Sequence, residues 1–284
     1  MQIKSIGVVG AGIMGSGIAQ VAASAGYNVI LNDIKDKFID RGLAAISHSL
    51  ERMVKKDKIT SVEAKTISGR ITRSTKLEDL SDVDFVVEAV VEDKTLKQDI
   101  FRQLDTICHS EVILSSNTSS ISITSLAAVT SRPEKVIGMH FINPVPVMKM
   151  IEVIKGLDTS SETVKSVFDL AEIMGKVPVL CEDFPGFVSN RVLQVMINEG
   201  MYCLYEGLGT RESIDDTMKM CANHPMGPLE LADLIGLDTV LNILNILYEG
   251  YGDPKYRACP LLKKYVEAGL LGRKTGRGFY EYAK

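Results

Sequence analysis

The sequence predicts an α/β fold in two parts, an N-terminal domain built on a mostly parallel sheet and an all-helical C-terminal domain. As far as residue 184, apolar segments with strand character alternate with helical patterns, which is typical of a parallel sheet covered on both faces. After Asp183-Phe184-Pro185-Gly186 the strand signals fade, and helical patterns separated by Gly and Pro follow. We therefore expect domains at 1–184 and 185–284.

Seven short apolar segments, several of them rich in β-branched residues, are the predicted strands. In chain order they span 3–9, 28–31, 84–88, 112–115, 136–141, 148–154 and 177–181. The predicted helices span 13–25, 39–56, 96–107, 187–206, 211–221, 228–250 and 261–268. The clearest helical period is in the second of these, where the apolar residues recur every three or four positions at Ile39, Leu43, Ile46, Leu50 and Met53.

The composition excludes several classes of function. The chain has 284 residues and a net charge of −4, so it carries no basic field that would hold nucleic acid. No apolar run approaches the length of a membrane span, and the first residues resemble neither a signal peptide nor a transit peptide. We therefore expect a cytoplasmic protein with no nucleic-acid or membrane partner. The five cysteines are scattered and form no C-x-x-C pair, which favours free thiols over disulfides or a metal site.

A glycine-rich segment, VVGAGIMGSGIAQ at residues 8–20, joins the first predicted strand to the first helix. Gly10, Gly12 and Gly15 match G-x-G-x-x-G in the βαβ context that makes this pattern specific for a dinucleotide. Gly10 permits the tight turn, and Gly12 lets the backbone approach a pyrophosphate at the helix N-terminus. Gly15, helped by Gly17, is expected to let the helix pack closely on the strand. These features predict a Rossmann-type domain.

Asp33 ends the second predicted strand, close to where Rossmann-type folds place an acidic residue. A carboxylate there accepts hydrogen bonds from a ribose diol and repels a 2′-phosphate, which favours NAD over NADP. Two alternatives stay open. Lys35 could offset part of that repulsion and allow NADP, and Asp33 could be a turn residue at the end of the strand.

Among the four histidines, His140 is the strongest catalytic candidate. It lies in the apolar strand VIGMHF, and Glu152 lies in the next apolar strand, where a carboxylate without a partner is costly to bury. If the two strands form a hairpin centred near Pro146, counting places residues 140 and 152 opposite each other. An imidazole oriented by a carboxylate is what a general base requires. The alternative is a structural His–Glu pair without catalysis.

The other three histidines fit structural positions better. His48 and His109 fall in patterns typical of a helix surface or a helix end, and we interpret them as solvated. His224 lies in the Pro- and Gly-rich segment NHPMGP, and we interpret it as a packing and turn residue rather than a rival base.

Three further polar features could contact ligands. The loop SSNTSS at 115–120 follows a predicted strand, where open parallel sheets bind ligands, although such a loop is also a common helix cap. Asn190 lies early in the first helix after the domain boundary. Lys55, Lys56 and Lys58 end the helix 39–56; they either suit its C-terminal dipole or clamp the phosphates of a large anionic substrate.

Taken together, these motifs resemble the short-chain L-3-hydroxyacyl-CoA dehydrogenases, and within them the bacterial members that act on 3-hydroxybutyryl-CoA. The resemblance runs nearly from end to end. The segments that carry it, in order and at matching spacing, are GAGIMGSGIAQ, SSNTSSISI, GMHFINPVPVMKMIEVI, PGFVSNRV, NHPMGPLELADLIGLD and GRKTGRGFYEY.

The resemblance implies roles for individual residues. His140 is the catalytic base, Glu152 orients it, and Ser119 and Asn190 contact the reacting oxygen. The implied contacts with CoA are made by Ser49, Lys56 and Ser119. The implied cofactor residues are Gly10, Ala11, Gly12, Ile13, Met14, Gly15, Asp33, Glu92, Lys97, Ser119, Asn143 and Lys274.

The activity that the resemblance implies is the reversible oxidation of (S)-3-hydroxybutyryl-CoA to acetoacetyl-CoA, with NAD as cofactor, NADP as an alternative and no metal. It also implies that the helical domain binds substrate and forms a homodimer. One alternative is a β-hydroxyacid-type dehydrogenase of another small hydroxy acid, which usually relies on a lysine base. The other alternative is a dinucleotide-binding protein without catalysis.

Overall fold

A computed structural model describes residues 3–282 of the chain. The chain forms two compact units that divide between Asp183 and Phe184. The N-terminal unit contains the strands, and the C-terminal unit is helical.

Within residues 3–282, eight strands form one sheet. They are β1 (Ser5–Val9), β2 (Asn28–Asn32), β3 (Ile71–Ser74), β4 (Phe85–Glu88), β5 (Ile113–Ser116), β6 (Val136–Phe141), β7 (Met150–Lys155) and β8 (Val177–Glu182). Their order is β3-β2-β1-β4-β5-β6-β7-β8, and every neighbouring pair is parallel except the antiparallel β6 and β7. The predicted mostly parallel sheet is therefore confirmed.

The helices of the N-terminal unit connect the strands. They are α1 (Ile13–Ser24), α2 (Asp36–Lys55), α3 (Ser61–Gly69), α4 (Lys94–Ile107), α5 (Ile123–Ala127) and α6 (Ser161–Ile173). The predicted period of α2 is confirmed, because Ile39, Ile46 and Leu50 are buried in the core with α1 and the sheet. Each such side chain contributes about 1.5–3 kcal/mol by leaving water.

Four elements lie outside the predicted set, namely β3, α3, α5 and α6. The edge strand β3 has the sequence ITRS, with exposed central residues, and so lacks an apolar run. Helix α3 did carry a local signal, since Thr60 and Glu63 form a capping box in which each side chain accepts a hydrogen bond from the other residue's backbone. A search for capping boxes therefore finds α3 where a search for long apolar periods does not.

The C-terminal unit consists of α7 (Ser189–Tyr205), α8 (Arg211–Cys221), α9 (Pro228–Ile235), α10 (Leu237–Tyr251) and α11 (Pro260–Glu267), which confirms the predicted helical class. The single helix expected at 228–250 is wrong. Gly236 adopts φ = +101°, which is outside helical conformation, and α9 and α10 meet there at 99°. Among residues 3–282, no lone helix has the length and apolarity to cross a bilayer, and the bent α9–α10 pair meets those two criteria only when both halves are combined.

Residues 272–282 form a segment, here called the C-terminal clasp, that is held by two buried carboxylates. Asp233 accepts hydrogen bonds from the Tyr280 backbone N–H and the Tyr282 hydroxyl. Asp215 accepts from the Tyr280 hydroxyl at 2.8 Å and also from backbone N–H groups at the start of α9. Burial and the neighbouring Asp233 charge raise the pKa of Tyr282 to about 12. The clasp therefore stays hydrogen-bonded at neutral pH.

Candidate active site

The glycine loop after β1 has one open position and two crowded ones. Gly10 adopts φ = +102°, and a Cβ there would lie 2.6 Å from the Ala89 carbonyl oxygen. A Cβ on Gly15 would lie 1.8 Å from the Gly10 carbonyl oxygen, whereas a Cβ on Gly12 would meet no atom within 4 Å. The exposed Gly12 therefore leaves space in front of α1, whose N-terminus has no side-chain cap and no acidic residue in its first turn. Such a site fits an anionic pyrophosphate.

The expected role of Gly17 is wrong. A Cβ on Gly17 would lie 2.8 Å from Cβ of Val145, in the connection between β6 and β7, rather than against β1. Gly17 therefore lets α1 approach that connection. The sequence could not show this contact, because it depends on how the connection folds over α1.

Asp33 directly follows β2 and helps to shape the glycine loop. Its Oδ2 accepts a hydrogen bond from the Ala11 backbone N–H at 2.8 Å, and its Oδ1 accepts one from the Ile34 N–H at 2.7 Å. A carboxylate has about four acceptor positions, so these bonds leave capacity for a ribose diol. The ribose contact itself stays a prediction.

His140 and Glu152 lie opposite each other on the antiparallel strands β6 and β7, in the register that counting predicts. His140 Nδ1 is 2.8 Å from Glu152 Oε2, and the side chains are 11% and 2% exposed, respectively. Because an ionised carboxylate can only accept, Nδ1 carries the hydrogen, and Nε2 is the nitrogen able to take up a proton. The predicted pairing is therefore confirmed, and its catalytic role stays a prediction.

The loop after β5 is held by Glu92, which follows β4. Glu92 Oε1 accepts hydrogen bonds from Thr118 Oγ1 at 2.5 Å, from the Ser119 N–H at 2.9 Å and from the Ser120 N–H at 3.2 Å. Burial alone would raise the pKa of Glu92, but the Lys97 ammonium and these donors outweigh it, so the pKa lies below its ordinary value. Glu92 therefore remains a carboxylate that fixes the turn at Ser119.

A buried ion pair that was not predicted from the sequence lies beneath that loop. Glu88 ends β4, Lys97 lies in the first turn of α4, and their side chains are 0% and 1% exposed. Lys97 Nζ is 2.6 Å from Glu88 Oε1 and 3.4 Å from Glu92 Oε2. An acidic residue ending the apolar strand FVVE was the available signal, since such a carboxylate requires a partner. The cofactor roles of Glu92 and Lys97 stay predictions.

The connection between β6 and β7 is fastened by Lys176. This buried ammonium donates to the carbonyl oxygens of Val145 at 2.5 Å and Met148 at 2.7 Å, and burial lowers its pKa. Asn143, a predicted cofactor residue, is exposed in this connection and precedes a cis peptide bond to Pro144. The part of the connection that follows Asn143 is therefore held in place by these two hydrogen bonds.

The predicted CoA residues lie on α2 and at its end. Ser49 is half-buried in the last third of the helix, and Lys56 is its exposed C-cap. Lys55 and Lys58 are also exposed, and none of the three lysines has an ion-pair partner within residues 3–282. Both interpretations of the cluster, dipole partner and phosphate clamp, are compatible with this arrangement.

The remaining predicted residues lie in the C-terminal unit or on the surface. Asn190 is half-buried in the first turn of α7, and Lys274, within the C-terminal clasp, is ion-paired with Asp238. His48 and His109 are exposed, as predicted. All five cysteines are free, and residues 3–282 contain no cluster of potential metal ligands.

Comparison with known families identifies both units. The model of the 3-hydroxyacyl-CoA dehydrogenase NAD binding domain matches residues 5–184, and that of the 3-hydroxyacyl-CoA dehydrogenase C-terminal domain matches residues 186–282. The chain belongs to the 3-hydroxyacyl-CoA dehydrogenase family. The resemblance carried by the motifs is thereby confirmed, and the cofactor of this 3-hydroxyacyl-CoA dehydrogenase fold is NAD. The open glycine loop at Gly12 fits that cofactor.

Relatives match the chain over its whole length. A probable 3-hydroxybutyryl-CoA dehydrogenase of Bacillus subtilis is 56% identical over 282 residues, covering 99% of this chain and 98% of the relative. The crystal structure of (S)-3-hydroxybutyryl-CoA dehydrogenase PaaH1 from Ralstonia eutropha has a TM-score of 0.97 at 50% identity and covers 100% of both chains. The human mitochondrial hydroxyacyl-coenzyme A dehydrogenase is 40% identical over 287 residues, covering 99% of this chain and 91% of the relative.

Proposed function

We propose that this chain interconverts (S)-3-hydroxybutyryl-CoA and acetoacetyl-CoA with NAD as its cofactor. The observation that carries the proposal is the His140–Glu152 pair, whose 2.8 Å contact supplies an oriented imidazole in an NAD-binding domain. The choice of the four-carbon substrate is supported by the names of relatives that are 50–56% identical along the whole chain.

The proposed proton step uses Nε2 of His140. In the oxidation direction Nε2 takes the proton of the C3 hydroxyl group, and the imidazolium that forms is stabilised by the Glu152 carboxylate. In the reduction direction the imidazolium returns that proton to the C3 oxygen. Because Glu152 is buried and bonded to Nδ1, the ring keeps one orientation in both directions.

The proposed donors to the C3 oxygen are Ser119 and, on the family resemblance alone, Asn190. Negative charge builds on that oxygen during reduction, so hydrogen-bond donors held ready for it lower the barrier. Support for Ser119 comes from the turn that carries it, whose backbone is fixed by Glu92.

The residues proposed to hold NAD begin with the glycine loop, where the backbone of Gly12 and the first turn of α1 would accept the pyrophosphate. Asp33 would bind the ribose diol, and its charge opposes a 2′-phosphate. The chemistry that NAD supplies when bound is hydride transfer to and from C3 of the acyl chain. The other proposed cofactor residues are Ala11, Ile13, Met14, Glu92, Lys97, Ser119, Asn143 and Lys274.

Ser49 and Lys56 are proposed to contact the CoA portion. Lys56 is exposed at the end of α2 without an ion-pair partner in the described residues, so its ammonium is available to a phosphate. If the contact exists, the KM for acetoacetyl-CoA should rise with salt concentration in the native chain. This salt dependence should be lost in Lys56→Met.

We also propose that the protein is a cytoplasmic homodimer that joins through its C-terminal unit. Support for the dimer is an apolar groove of about 410 Å³ between α7 and α8, beside the 79%-exposed Leu208. Support for the compartment is the set of five free cysteines, which suits a reducing environment. Light scattering of the purified protein tests the dimer, and cell fractionation tests the location.

The experiment that tests the proposed activity is steady-state kinetics of the purified protein with acetoacetyl-CoA and either NADH or NADPH. We expect NADH oxidation that depends on the CoA thioester, and much less with free acetoacetate. Equal rates with free acetoacetate would indicate a dehydrogenase of small hydroxy acids, and no oxidation at all would indicate a protein without this activity.

A further inference from the structure

Glu88 lies at the centre of the carboxyl edge of the parallel sheet. Its backbone pairs with Val9 of β1 on one side and with Ser116 of β5 on the other, so it lies between the glycine loop and the serine loop. Its carboxylate is fully buried and accepts three hydrogen bonds: from Lys97 Nζ at 2.6 Å, from Ser116 Oγ at 2.6 Å and from the Val90 N–H at 2.7 Å. The side chain therefore has a single, well-determined position.

Lys97 transmits that position to Glu92. Its ammonium has three donors; two contact Glu88 Oε1 and the Val90 carbonyl oxygen at 3.3 Å, and the charge lies 3.4 Å from Glu92 Oε2. Lys97 and Glu88 are both enclosed, at 1% and 0% exposure, whereas the Glu92 side chain is 37% exposed. The position of Glu92 thus depends on an ammonium that Glu88 holds in place.

Glu92 in turn fixes the backbone of the serine loop. One oxygen, Oε1, receives the N–H groups of Ser119 and Ser120 and the hydroxyl groups of Thr118, Ser119 and Ser120. The three charges of Glu88, Lys97 and Glu92 therefore form a continuous chain from the middle of the sheet to the turn that carries Ser119.

We propose that Glu88 is a positioning residue that sets the Ser119 turn through Lys97 and Glu92. A buried ion pair adds little stability compared with apolar side chains of similar size, so stability alone does not explain its presence here. The ion pair provides a charged hydrogen-bond network with a single geometry. This network lies at the carboxyl edge of the sheet, where the substrate is proposed to react. The inference rests on the proposed function, because it takes Ser119 as a donor to the reacting oxygen.

The first test compares Glu88→Gln with the native chain in the reduction of acetoacetyl-CoA by NADH. The amide keeps the size of the side chain and removes the charge that holds Lys97. Misplacing a catalytic group by about 1 Å can cost up to about 10²-fold, so we expect kcat to fall about tenfold. Glu88→Asp, which keeps the charge on a shorter side chain, should recover part of that loss.

The matched control is Asp105→Asn, which disrupts a comparable pair at the other end of α4. Asp105 Oδ1 accepts from Arg132 Nε at 2.7 Å, and both side chains are largely buried. We expect this variant to lower the melting temperature but leave kcat at the native value. If Glu88→Gln loses no more kcat than Asp105→Asn at a similar melting temperature, Glu88 is only structural and the inference is overturned.

A double-mutant cycle with Ser119→Ala tests the route of the effect. If Glu88 acts by positioning Ser119, Glu88→Gln should add little further loss of kcat to Ser119→Ala, whereas additive losses would contradict the inference. Amide hydrogen exchange gives a readout independent of turnover. The N–H groups of Ser119 and Ser120 should exchange faster in Glu88→Gln than in the native chain. Their exchange rates should be unchanged in Asp105→Asn.

Ser116→Ala is the second test if Glu88→Gln does not fold: it keeps all three charges, but it removes one donor to Glu88 and also the oxygen that accepts the Thr118 N–H. We expect a loss of kcat of about two- to fivefold and faster exchange at Ser119, which corresponds to part of the free energy of one hydrogen bond. No change in either measurement would contradict the inference. The proposed function fails separately, if the native chain does not reduce acetoacetyl-CoA or if His140→Gln does so at the native rate.

Discussion

Two glutamates of the same sheet, Glu152 on β7 and Glu88 on β4, have opposite kinds of partner. Glu152 holds an imidazole that is 11% exposed, while Glu88 holds an ammonium that is 1% exposed. Both carboxylates are buried and both bonds are short, at 2.8 Å and 2.6 Å. The difference lies in the partner, since the imidazole is an acid–base group that is partly exposed, whereas the ammonium is enclosed.

The comparison shows how burial of charge serves two purposes in one domain. A carboxylate beside a titratable and accessible group stabilises a charge that appears and disappears during a reaction. A carboxylate beside an enclosed ammonium stabilises a charge that does not change, and so fixes the geometry around it. The first arrangement predicts an effect on the chemistry and its pH dependence, and the second predicts an effect on geometry alone.

The largest expected effect comes from removing the titratable partner. His140→Gln should lower kcat for acetoacetyl-CoA reduction by more than about 10²-fold, because no group remains to return the proton. Steady-state kinetics at saturating substrate and NADH measures this, with the exposed His109→Gln as a control. A variant with native kcat would remove His140 from the mechanism and leave the two glutamates with the same structural role.

Glu152→Gln should lower kcat by about 10- to 100-fold, since the amide still orients Nδ1 but no longer balances the imidazolium charge. The pH profile for reduction should also move toward lower pH, because an imidazolium without a counter-charge loses its proton more readily. Glu88→Gln should leave the position of the profile unchanged. Identical profiles for the two variants would mean that the comparison is wrong.

A third carboxylate, Asp33, contacts the glycine loop rather than a cationic side chain. Asp33→Asn removes the charge that opposes a 2′-phosphate, so the preference for NADH over NADPH should fall about tenfold, equivalent to about 1.4 kcal/mol. The ratio of kcat/KM for the two cofactors measures it. As a control, Asn in place of the nearby exposed residue Asp36 should change that ratio much less. An equal change in Asp36→Asn would mean that the preference comes from the overall negative charge near the loop rather than from Asp33.

The smallest expected effect concerns acid stability. The pKa of Glu92 in the folded chain lies below its ordinary value of 4.5, so its ionisation stabilises the fold above that pH, and the contribution is lost as the pH falls through the folded-state pKa. Glu92→Gln should therefore weaken the dependence of melting temperature on pH below 4.5. Calorimetric melting at pH 3.5–6 tests this. An unchanged slope would show that Glu92 is not the carboxylate responsible.

The two glutamates also show how far the sequence can predict the site. Glu152 was predictable because a hairpin between adjacent strands has a fixed register, and counting from Pro146 is sufficient. The partner of Glu88 was not, because β4 is flanked by strands distant in sequence and Lys97 approaches from a helix. The break at Gly236 was missed for a related reason, since an apolar period continues across it and only the packed chain shows φ = +101°.

The contrast among the glycines of the loop offers a way to separate folding from recognition. Gly12 adopts φ = −69° and ψ = −168°, which alanine reaches without strain, and its added methyl would touch nothing in the protein. An alanine at Gly10 or Gly15 would instead collide with backbone oxygens. Gly12→Ala should therefore fold normally, with His140 and Glu152 still paired. Its added methyl group should block binding of the dinucleotide. This variant would allow binding of the acyl thioester to be measured in the absence of bound dinucleotide.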